Sequence, residues 1–344
     1  MARTRKLGDT IDIVAVAKEA EVSISTVSRS YNHPDLVKAA TRRRIEKAIE
    51  KLGYIRNRAA QTIHGIRSGT IGLVVPTIDH AIFAEVVQAF SDSVDEAGFT
   101  ILLASHGYDL GREYAVLRKF LEHRVDGIAL IGLDHPGEVF RLIEQQDIPA
   151  ILIWNYEPVT PLPCVGADNF MAGRMIAEHI LELGHRDIAL VLPPLEGNDR
   201  AGGRAFGISE TLKDAGVDVP DAWRLETPYS ISAAKRDVHH VLGQAHRPSA
   251  IICGNDVLAW GALYGAKAHG LSVPDGISIA GIGDFKGSKE LEPALTTVRL
   301  PARQIGRNAG QAIAMAITQP GTVIENQHCA PELVVRATCA ALKC

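Results

Sequence analysis

Residues 22–29 read Val22-Ser23-Ile24-Ser25-Thr26-Val27-Ser28-Arg29, and this segment predicts the structure of the amino-terminal part of the chain. Ser23 is a favourable N-cap, so we predict a helix from Ile24 to about Tyr31. A preceding helix, capped by Asp12, has apolar residues at spacings of three and four. Two short helices joined by a turn of three or four residues are typical of a helix-turn-helix motif.

The second helix of this motif carries side chains suited to a DNA duplex. Its predicted solvent side offers short hydroxyl groups and one guanidinium, on Ser25, Thr26, Ser28 and Arg29. Short hydroxyl side chains let a helix approach closely and bond phosphates, and an arginine can bind O6 and N7 of guanine. A third helix, capped by Thr41 and ended by Gly53, would complete an all-α head. The pattern favours a DNA-binding head over a small helical cap domain.

The distribution of charge agrees with a DNA-binding head. The 344-residue chain has a net charge of −4, but residues 1–68 hold 14 basic and 7 acidic side chains. The rest of the chain holds 22 basic and 33 acidic side chains. A small basic head on a large acidic body indicates that only the head meets a polyanion.

Composition excludes several classes of protein. No run of 18 apolar residues occurs, so we predict no membrane span and no membrane partner. The basic start of the chain lacks the apolar core of a signal peptide, and we therefore expect a cytoplasmic protein. The five cysteines form no C-x-x-C pair and are predicted to be free thiols.

From Thr70 onward, apolar strands alternate with amphipathic helices. Strands are predicted at 71–75, 100–104, 127–131, 150–153, 188–192, 250–253 and 277–281. Helices are predicted at 83–97, 112–123, 137–146, 170–183, 201–215, 232–243, 255–269 and 302–318. Runs of β-branched residues with helical crossovers predict parallel sheets. Two such series predict two doubly wound lobes, with a ligand in the crevice at the carboxyl ends of the strands.

An enzyme is the competing interpretation of this body, and its motifs oppose it. Gly281-Ile282-Gly283 follows a strand but lacks the third glycine and the helix start of a dinucleotide site. Gly202-Gly203 has no P-loop lysine after it, and no group of histidine, cysteine and acidic residues has metal-ligand spacing. We therefore expect no catalytic residues, no metal and no cofactor.

These landmarks closely resemble the lactose-repressor (LacI/GalR) family of transcription regulators over about residues 10–340. In the head the matching segments are 22–29, Asn32, Thr41-Arg42, 52–54 and Asn57. In the body they are 71–76, 83–85, 125–127, 182–185, 255–256, 295–298 and 331–334. Residues 105–108 and 165–170 are similar to the gluconate-repressor branch. The resemblance implies a helix-turn-helix head and a two-lobed α/β body like that of periplasmic binding proteins. It also implies a homodimeric repressor that binds a palindromic operator.

The resemblance assigns DNA contacts to the head and to a hinge. The implied base-reading positions are Ile24, Ser25 and Arg29. The implied phosphate-contacting positions are Thr26, Ser28 and Asn32. A short hinge helix at 57–65 would enter the minor groove, with Asn57 as its cap, Ala60 on the groove floor and Ile63 as a wedge. The implied domains are a head at 1–56, a hinge at 57–68 and a body at 69–344.

Three positions in this region depart from the family pattern. Arg56 stands where proline commonly precedes the hinge, which loosens the start of the hinge but adds a phosphate-binding charge. Ile63 is β-branched and therefore a stiffer wedge than the usual leucine. Glu21 replaces the usual turn glycine, and a left-handed conformation there would cost about 1 kcal/mol.

Within the body, the family pattern implies three crossings of the chain between the lobes. Lobe one is expected to comprise 69–168 and 297–323, and lobe two 169–296 and 324–344. The pocket for a small-molecule effector is expected to be lined by His80, Ile82, Phe83, Trp154, Arg200, Arg204, Tyr229, Asn255 and Asp284. Effector binding would change the angle between the lobes and thereby the affinity for the operator.

The chemistry of these pocket positions shifts the expected effector from a neutral sugar to an anion. Sugar-binding members of the family commonly carry an aspartate at the positions of Trp154 and Gly283, and both acids are absent here. Arg200 adds a second base near Arg204, so we expect a sugar acid such as gluconate or a uronate. The alternative is an exported solute-binding protein with the same body and no transcriptional role, which the basic head opposes. No leucine heptad follows Val335, which favours a dimer over a tetramer.

Overall fold

The computed structural model describes residues 11–56, 67–79 and 81–342, except for the side chains of residues 81 and 82. The chain forms two compact units, Met1–Ser68 and Gly69–Cys344, each with its own apolar core. Four predicted site residues lie outside the described residues: Asn57, Ala60, Ile63 and His80. The side chain of Ile82, also predicted to line the pocket, is not described either.

The amino-terminal unit is the predicted helix-turn-helix head. Its elements are α1 (Ile13–Glu19), α2 (Ile24–Asn32), a short 3-10 helix (Pro34–Leu36) and α3 (Ala39–Leu52). The side chain of Asp12 accepts a hydrogen bond from the Ala15 amide, and that of Ser23 accepts one from the Thr26 amide. Both predicted N-caps are therefore confirmed. The buried core of this unit consists of Val16, Ala17, Ala20, Val27, Ile45 and Ala48.

The ends of α3 and the turn before α2 test the finer predictions in the head. The prediction that Thr41 caps α3 is wrong, because the helix begins two residues earlier, at Ala39. Two alanines, the strongest helix formers, precede the threonine and extend the helix upstream. Gly53 ends α3 with a φ of +66°, as predicted. Glu21 has a φ of +53°, so this turn holds a non-glycine residue in the left-handed region, at a cost of about 1 kcal/mol.

The carboxy-terminal unit alternates strands and helices. Its strands are β1 (Thr70–Val75), β2 (Thr100–Ser105), β3 (Gly127–Ile131), β4 (Ala150–Asn155), β5 (Cys164–Ala167), β6 (Ile188–Leu192), β7 (Arg224–Glu226), β8 (Ala250–Cys253), β9 (Ser278–Gly283), β10 (Thr296–Arg299), β11 (Gln327–His328) and β12 (Glu332–Val334). Its helices are α4 (Ala81–Glu96), α5 (Glu113–Glu122), α6 (Gly137–Gln146), α7 (Asn169–Glu182), α8 (Asp199–Asp214), α9 (Ile231–Leu242), α10 (Asp256–Ala268) and α11 (Ala302–Thr318).

These strands form two six-stranded sheets, one in each lobe. The spatial order is β11-β5-β4-β3-β1-β2 in the first sheet and β12-β10-β9-β8-β6-β7 in the second. All pairs in the first sheet are parallel, and in the second sheet β12 alone runs antiparallel to its neighbour. Parallel strands with helical crossovers are the doubly wound arrangement that the sequence predicts, and they gather the carboxyl ends of the strands at one edge.

The hydrophobic pattern locates the long elements closely. The strands predicted at 127–131, 188–192 and 250–253 have the same bounds as β3, β6 and β8. The helices predicted at 137–146 and 302–318 have the same bounds as α6 and α11. The short strands β5, β7, β11 and β12 escape prediction, although β8, which is no longer than β5, is located.

The predicted lobe boundaries near the carboxyl terminus are wrong in two places. β10 pairs with β9 in the second sheet, so the chain does not return to lobe one at residue 297. It returns in α11, where a Cβ on Gly306 would overlap the carbonyl oxygen of Val86 in α4. β11 pairs with β5 in the first sheet, so lobe two does not resume at residue 324 but at β12. A strand buried on both faces carries no pattern that tells which sheet it joins.

Three further properties follow from the described part of the chain. None of its helices is long and apolar enough to cross a membrane. Cys164, Cys253, Cys329 and Cys339 are free thiols, as predicted. No three histidine, cysteine or acidic side chains among the described residues are grouped so that they could hold a metal ion.

Candidate functional site

Helix α2 presents the predicted base-reading side chains on its outer side. Ser25 and Arg29 are exposed, and Ile24 is 46% exposed although it is apolar. Val27 of the same helix is fully buried in the core of the head. An isoleucine beside a hydroxyl and a guanidinium is suited to the major groove, where the thymine methyl offers an apolar contact.

The predicted phosphate-contacting side chains lie along the flank of α2. Thr26, Ser28 and Asn32 are half-buried, and the Asn32 amide nitrogen donates to the Ser28 hydroxyl at 3.5 Å. The Asn32 carbonyl oxygen accepts a hydrogen bond from Arg56, whose guanidinium lies 4.9 Å from the centroid of the Tyr31 ring. Arg56, which stands where the family commonly has proline, therefore fixes the last described residue of the head against α2.

A narrow cleft with a free volume of about 30 Å³ lies in the body, between side chains of the two lobes. Six of the predicted pocket residues line it: Phe83, Trp154, Arg200, Arg204, Tyr229 and Asn255. Four lining residues were not predicted: Tyr108, Ile282, Phe285 and Leu300. The cleft is therefore at the carboxyl ends of the parallel strands, as the fold predicts.

Aromatic rings form the walls of the cleft. Tyr108 of lobe one stacks on Tyr229 of lobe two with the ring centroids 6.4 Å apart. Phe83 meets Trp154 edge to face at 6.0 Å. Trp154 has a φ of +91°, a backbone conformation that is unfavourable for a bulky residue. It is only 2% exposed, so the surrounding structure holds the tryptophan in this conformation. Burial raises the pKa of the Tyr108 hydroxyl, so this group stays neutral and can donate a hydrogen bond to a ligand.

Arg204 extends from α8 into the cleft and is buried. Its Nε donates to the Gly254 carbonyl oxygen at 2.9 Å, and its Nη1 donates to the Asn169 Oδ1 at 2.8 Å. Burial lowers the pKa of this guanidinium from its ordinary value, but arginine remains protonated in proteins. Both of these acceptors are neutral, so neither bond compensates the charge of Arg204, and the Tyr229 side chain is a further hydrogen-bond partner of the guanidinium.

Arg200 lies one turn earlier on α8 and is only 5% exposed. Its Nη1 donates to Asp199 Oδ1 at 2.8 Å and to the Ile131 carbonyl oxygen at 3.4 Å. Its guanidinium lies 5.9 Å from the Phe83 ring and 6.0 Å from the Tyr108 ring. Its Nη2 is buried and has no hydrogen-bond partner among the described residues. A buried N–H donor without an acceptor is costly, so this atom is suited to bind a ligand.

Asp284 is the one described pocket prediction that the structure does not place in the cleft. Its carboxylate accepts hydrogen bonds from Arg299 Nε at 2.8 Å and from Arg336 Nη2 at 2.6 Å. Two guanidinium groups from β10 and from the segment after β12 therefore occupy both of its oxygens. Among the described lining residues of the cleft are two arginines and no carboxylate.

The fold and the cleft define a class of protein: a helix-turn-helix head joined to a two-lobed binding body. Residues 12–57 match the family model described as bacterial regulatory proteins, lacI family. Residues 177–339 match that of a periplasmic binding protein-like domain. The chain is 30% identical to the HTH-type transcriptional repressor PurR of Klebsiella pneumoniae over 94% of this chain and 96% of that protein.

Solved structures agree with these matches. The Lac repressor dimer bound to operator and an anti-inducer is similar with a TM-score of 0.84, at 26% identity, over 97% of this chain and 100% of that one. The transcription regulator GntR from Chromobacterium violaceum is similar with a TM-score of 0.72, at 28% identity, over 78% of this chain and 98% of that one.

The chain belongs to the lacI family of bacterial regulatory proteins. It is a DNA-binding transcriptional repressor of that family with a ligand-binding domain, and its relatives are regulators rather than enzymes. The lacI-type head at residues 12–57 opposes the alternative of a solute-binding protein without a transcriptional role.

Proposed function

We propose that this repressor binds a palindromic operator as a homodimer, with each head reading one half-site through Ile24, Ser25 and Arg29. The exposure of these three side chains on one side of α2 supports this assignment. The similar Lac repressor structure, a dimer on its operator, supports the oligomeric state. Hinge residues Asn57, Ala60 and Ile63 would then meet the minor groove between the half-sites.

Arg29→Ala tests the base-reading role. Loss of one bidentate contact to guanine is expected to reduce discrimination against a substituted base pair by about 1–3 kcal/mol. Operator and single-substitution duplexes would be compared by gel shift in a salt series. Arg44→Ala on α3 removes an exposed charge from another helix of the head and should weaken binding to all duplexes alike. Unchanged discrimination in Arg29→Ala would refute the assignment.

We further propose that the effector is an anionic sugar derivative, with a sugar acid such as gluconate as the representative. The observation that carries this proposal is the charge of the cleft lining, whose described residues include Arg200 and Arg204 and no acidic side chain. Charge-assisted bonds between guanidinium and carboxylate groups are among the strongest polar contacts in proteins. The aromatic walls offer flat apolar faces to the C–H groups of a sugar chain or ring.

Titration calorimetry with the full chain tests the effector class. Gluconate and glucuronate would be compared with glucose, which has similar size and hydroxyl content but no charge. We expect heat of binding from at least one of the two acids and none from glucose. Binding of glucose with no response to either acid would refute an anionic effector.

A further inference from the structure

One aspartate from lobe two is bonded to several groups of lobe one next to the cleft. Asp199 is the first residue of α8. Its Oδ2 accepts hydrogen bonds from the Leu133 amide at 2.6 Å and from the Asn155 side-chain nitrogen at 2.9 Å. Leu133 follows β3 and Asn155 ends β4, so both donors belong to lobe one. The side chain is 18% exposed, which leaves these bonds only partly screened by water.

The other oxygen of the Asp199 carboxylate accepts hydrogen bonds from Arg200, which lines the cleft. Asp199 Oδ1 accepts hydrogen bonds from the backbone amide and from Nη1 of Arg200, both at 2.8 Å. This leaves Nη2 of Arg200 as the guanidinium nitrogen available to a ligand. One carboxylate thus joins the cleft arginine to the backbone of the opposite lobe.

The lobe-one segment that meets Asp199 has a shape suited to this contact. Gly132 has a φ of +109°, and a Cβ on it would lie 2.6 Å from Arg200 Nη1 and 3.1 Å from Asp199 Oδ2. His135 Nε2 lies 3.2 Å from the Gly132 carbonyl oxygen, while its Nδ1 lies 2.9 Å from both oxygens of the buried Glu113. The contact with His135 therefore supports this segment on the side away from Asp199. At position 132, glycine permits both the positive φ and the close approach of Arg200 and Asp199.

A second path joins the same elements through neutral groups. The Asn169 side-chain nitrogen donates to Asn155 Oδ1 at 3.1 Å, and Asn169 Oδ1 accepts from Arg204 at 2.8 Å. Both cleft arginines are thus bonded to residues that touch Asn155. Among the described hydrogen bonds of the two arginines and their partners, Asp199 is the only charged group that accepts hydrogen bonds directly from donors of lobe one.

We propose that Asp199 couples occupancy of the cleft to the arrangement of the two lobes, and hence to operator affinity. This inference rests on the proposed anionic effector. A ligand bound at Arg200 Nη2 acts on a guanidinium whose Nη1 shares its carboxylate with lobe one. Any shift of the arginine toward the ligand alters the bonds to Leu133 and Asn155. Without the carboxylate, the ligand still meets two arginines, but the charged link from Arg200 to the Leu133 amide and the Asn155 side chain is lost.

Asp199→Asn tests the coupling, with Glu196→Gln as the matched control. Glu196 is an exposed acid in the loop that precedes α8, three residues before Asp199, and its variant removes the same unit of charge. Operator affinity of the full chain would be measured by fluorescence anisotropy with and without saturating gluconate. Coupled sites typically change each other's affinity about 5–150-fold. We expect such a ratio in the wild type and in Glu196→Gln, and less than twofold in Asp199→Asn. Calorimetry should show gluconate affinity of Asp199→Asn within tenfold of wild type.

Hydrogen exchange separates this inference from the choice of effector. The amide of Leu133 donates to Asp199, so its exchange in the ligand-free chain should be at least tenfold faster in Asp199→Asn than in Glu196→Gln. If the Leu133 amide exchanges faster in Asp199→Asn but the wild type binds neither gluconate nor glucuronate, the anionic effector is overturned. The contact between Asp199 and lobe one is then still supported. Retention of the wild-type ratio in Asp199→Asn, complete loss of its gluconate binding, or unchanged exchange at Leu133 would each overturn the coupling role.

Discussion

Arg204→Met is expected to weaken gluconate binding at least 100-fold and to abolish the response of the repressor to it. The variant removes the one guanidinium whose hydrogen bonds go to the neutral acceptors on Gly254 and Asn169. A charge-assisted hydrogen bond contributes about 1.5–3 kcal/mol, and the loss of the buried positive charge adds to this. Affinity for the operator without gluconate should stay within threefold of wild type, because the DNA-reading side chains belong to the other unit of the chain.

Arg174→Met is the matched control for this variant. Arg174 lies on α7, half exposed, and pairs with Glu178 at 2.6 Å on the surface of lobe two. Its replacement makes the same chemical change outside the cleft and should leave the gluconate affinity unchanged. Thermal unfolding of both variants would show that they are folded. Wild-type gluconate affinity in a folded Arg204→Met would remove the basis of the proposed effector.

Much of the fold can be predicted because local physics determines it. The caps on Asp12 and Ser23 and the left-handed stop at Gly53 each depend on neighbours within three residues. The long helices and strands have enough residues to display their periods. The failure at Thr41 is of the same local kind, since two alanines outweigh one favourable cap residue.

What could not be predicted depends on contacts between distant parts of the sequence. β10 joins the second sheet because it pairs with β9. The apolar patterns of β9 and β10 do not differ from that of a strand in lobe one, so they do not show which sheet either strand joins. Asp284 follows a strand and looks available to the cleft, but Arg336 approaches it from 52 positions later in the chain. No local signal in the sequence indicates that this carboxylate is already neutralised.

In the cleft, too, some residues can be predicted from the sequence, and others depend on contacts between distant parts of the chain. Phe83, Trp154 and the two arginines of α8 could be assigned from a family resemblance, and the structure brings them together. Tyr108 lies in the segment 105–108, but the sequence does not assign it to the cleft, because its partner Tyr229 belongs to the other lobe. The sequence does not indicate the contacts of Asp199 either, because they depend on donors that follow or end strands of the first sheet.

Gly173→Ala is expected to lower the free energy of unfolding of the body by about 3 kcal/mol and to weaken gluconate binding. Helices α7 and α8 cross with backbone against backbone, so that a Cβ on Gly173 would overlap the Arg204 carbonyl oxygen. A Cβ on Gly207 would likewise overlap the carbonyl oxygen of Phe170. Backbone atoms cannot rotate aside as a side chain can, and overpacking of this kind typically costs 1–3 kcal/mol or more.

The same contact positions the cleft, so the two effects of Gly173→Ala have one cause. If α8 moves away to admit the methyl group, Arg204 moves with it and leaves its acceptors on Gly254 and Asn169. Gly202→Ala is the matched control, because Gly202 lies in α8, the other helix of this crossing, with open space around its Cβ position. There the alanine should stabilise the helix by about 0.5–1 kcal/mol. Urea unfolding and calorimetry would measure both variants. Equal stability of Gly173→Ala and Gly202→Ala would contradict the close crossing that holds Arg204 in place.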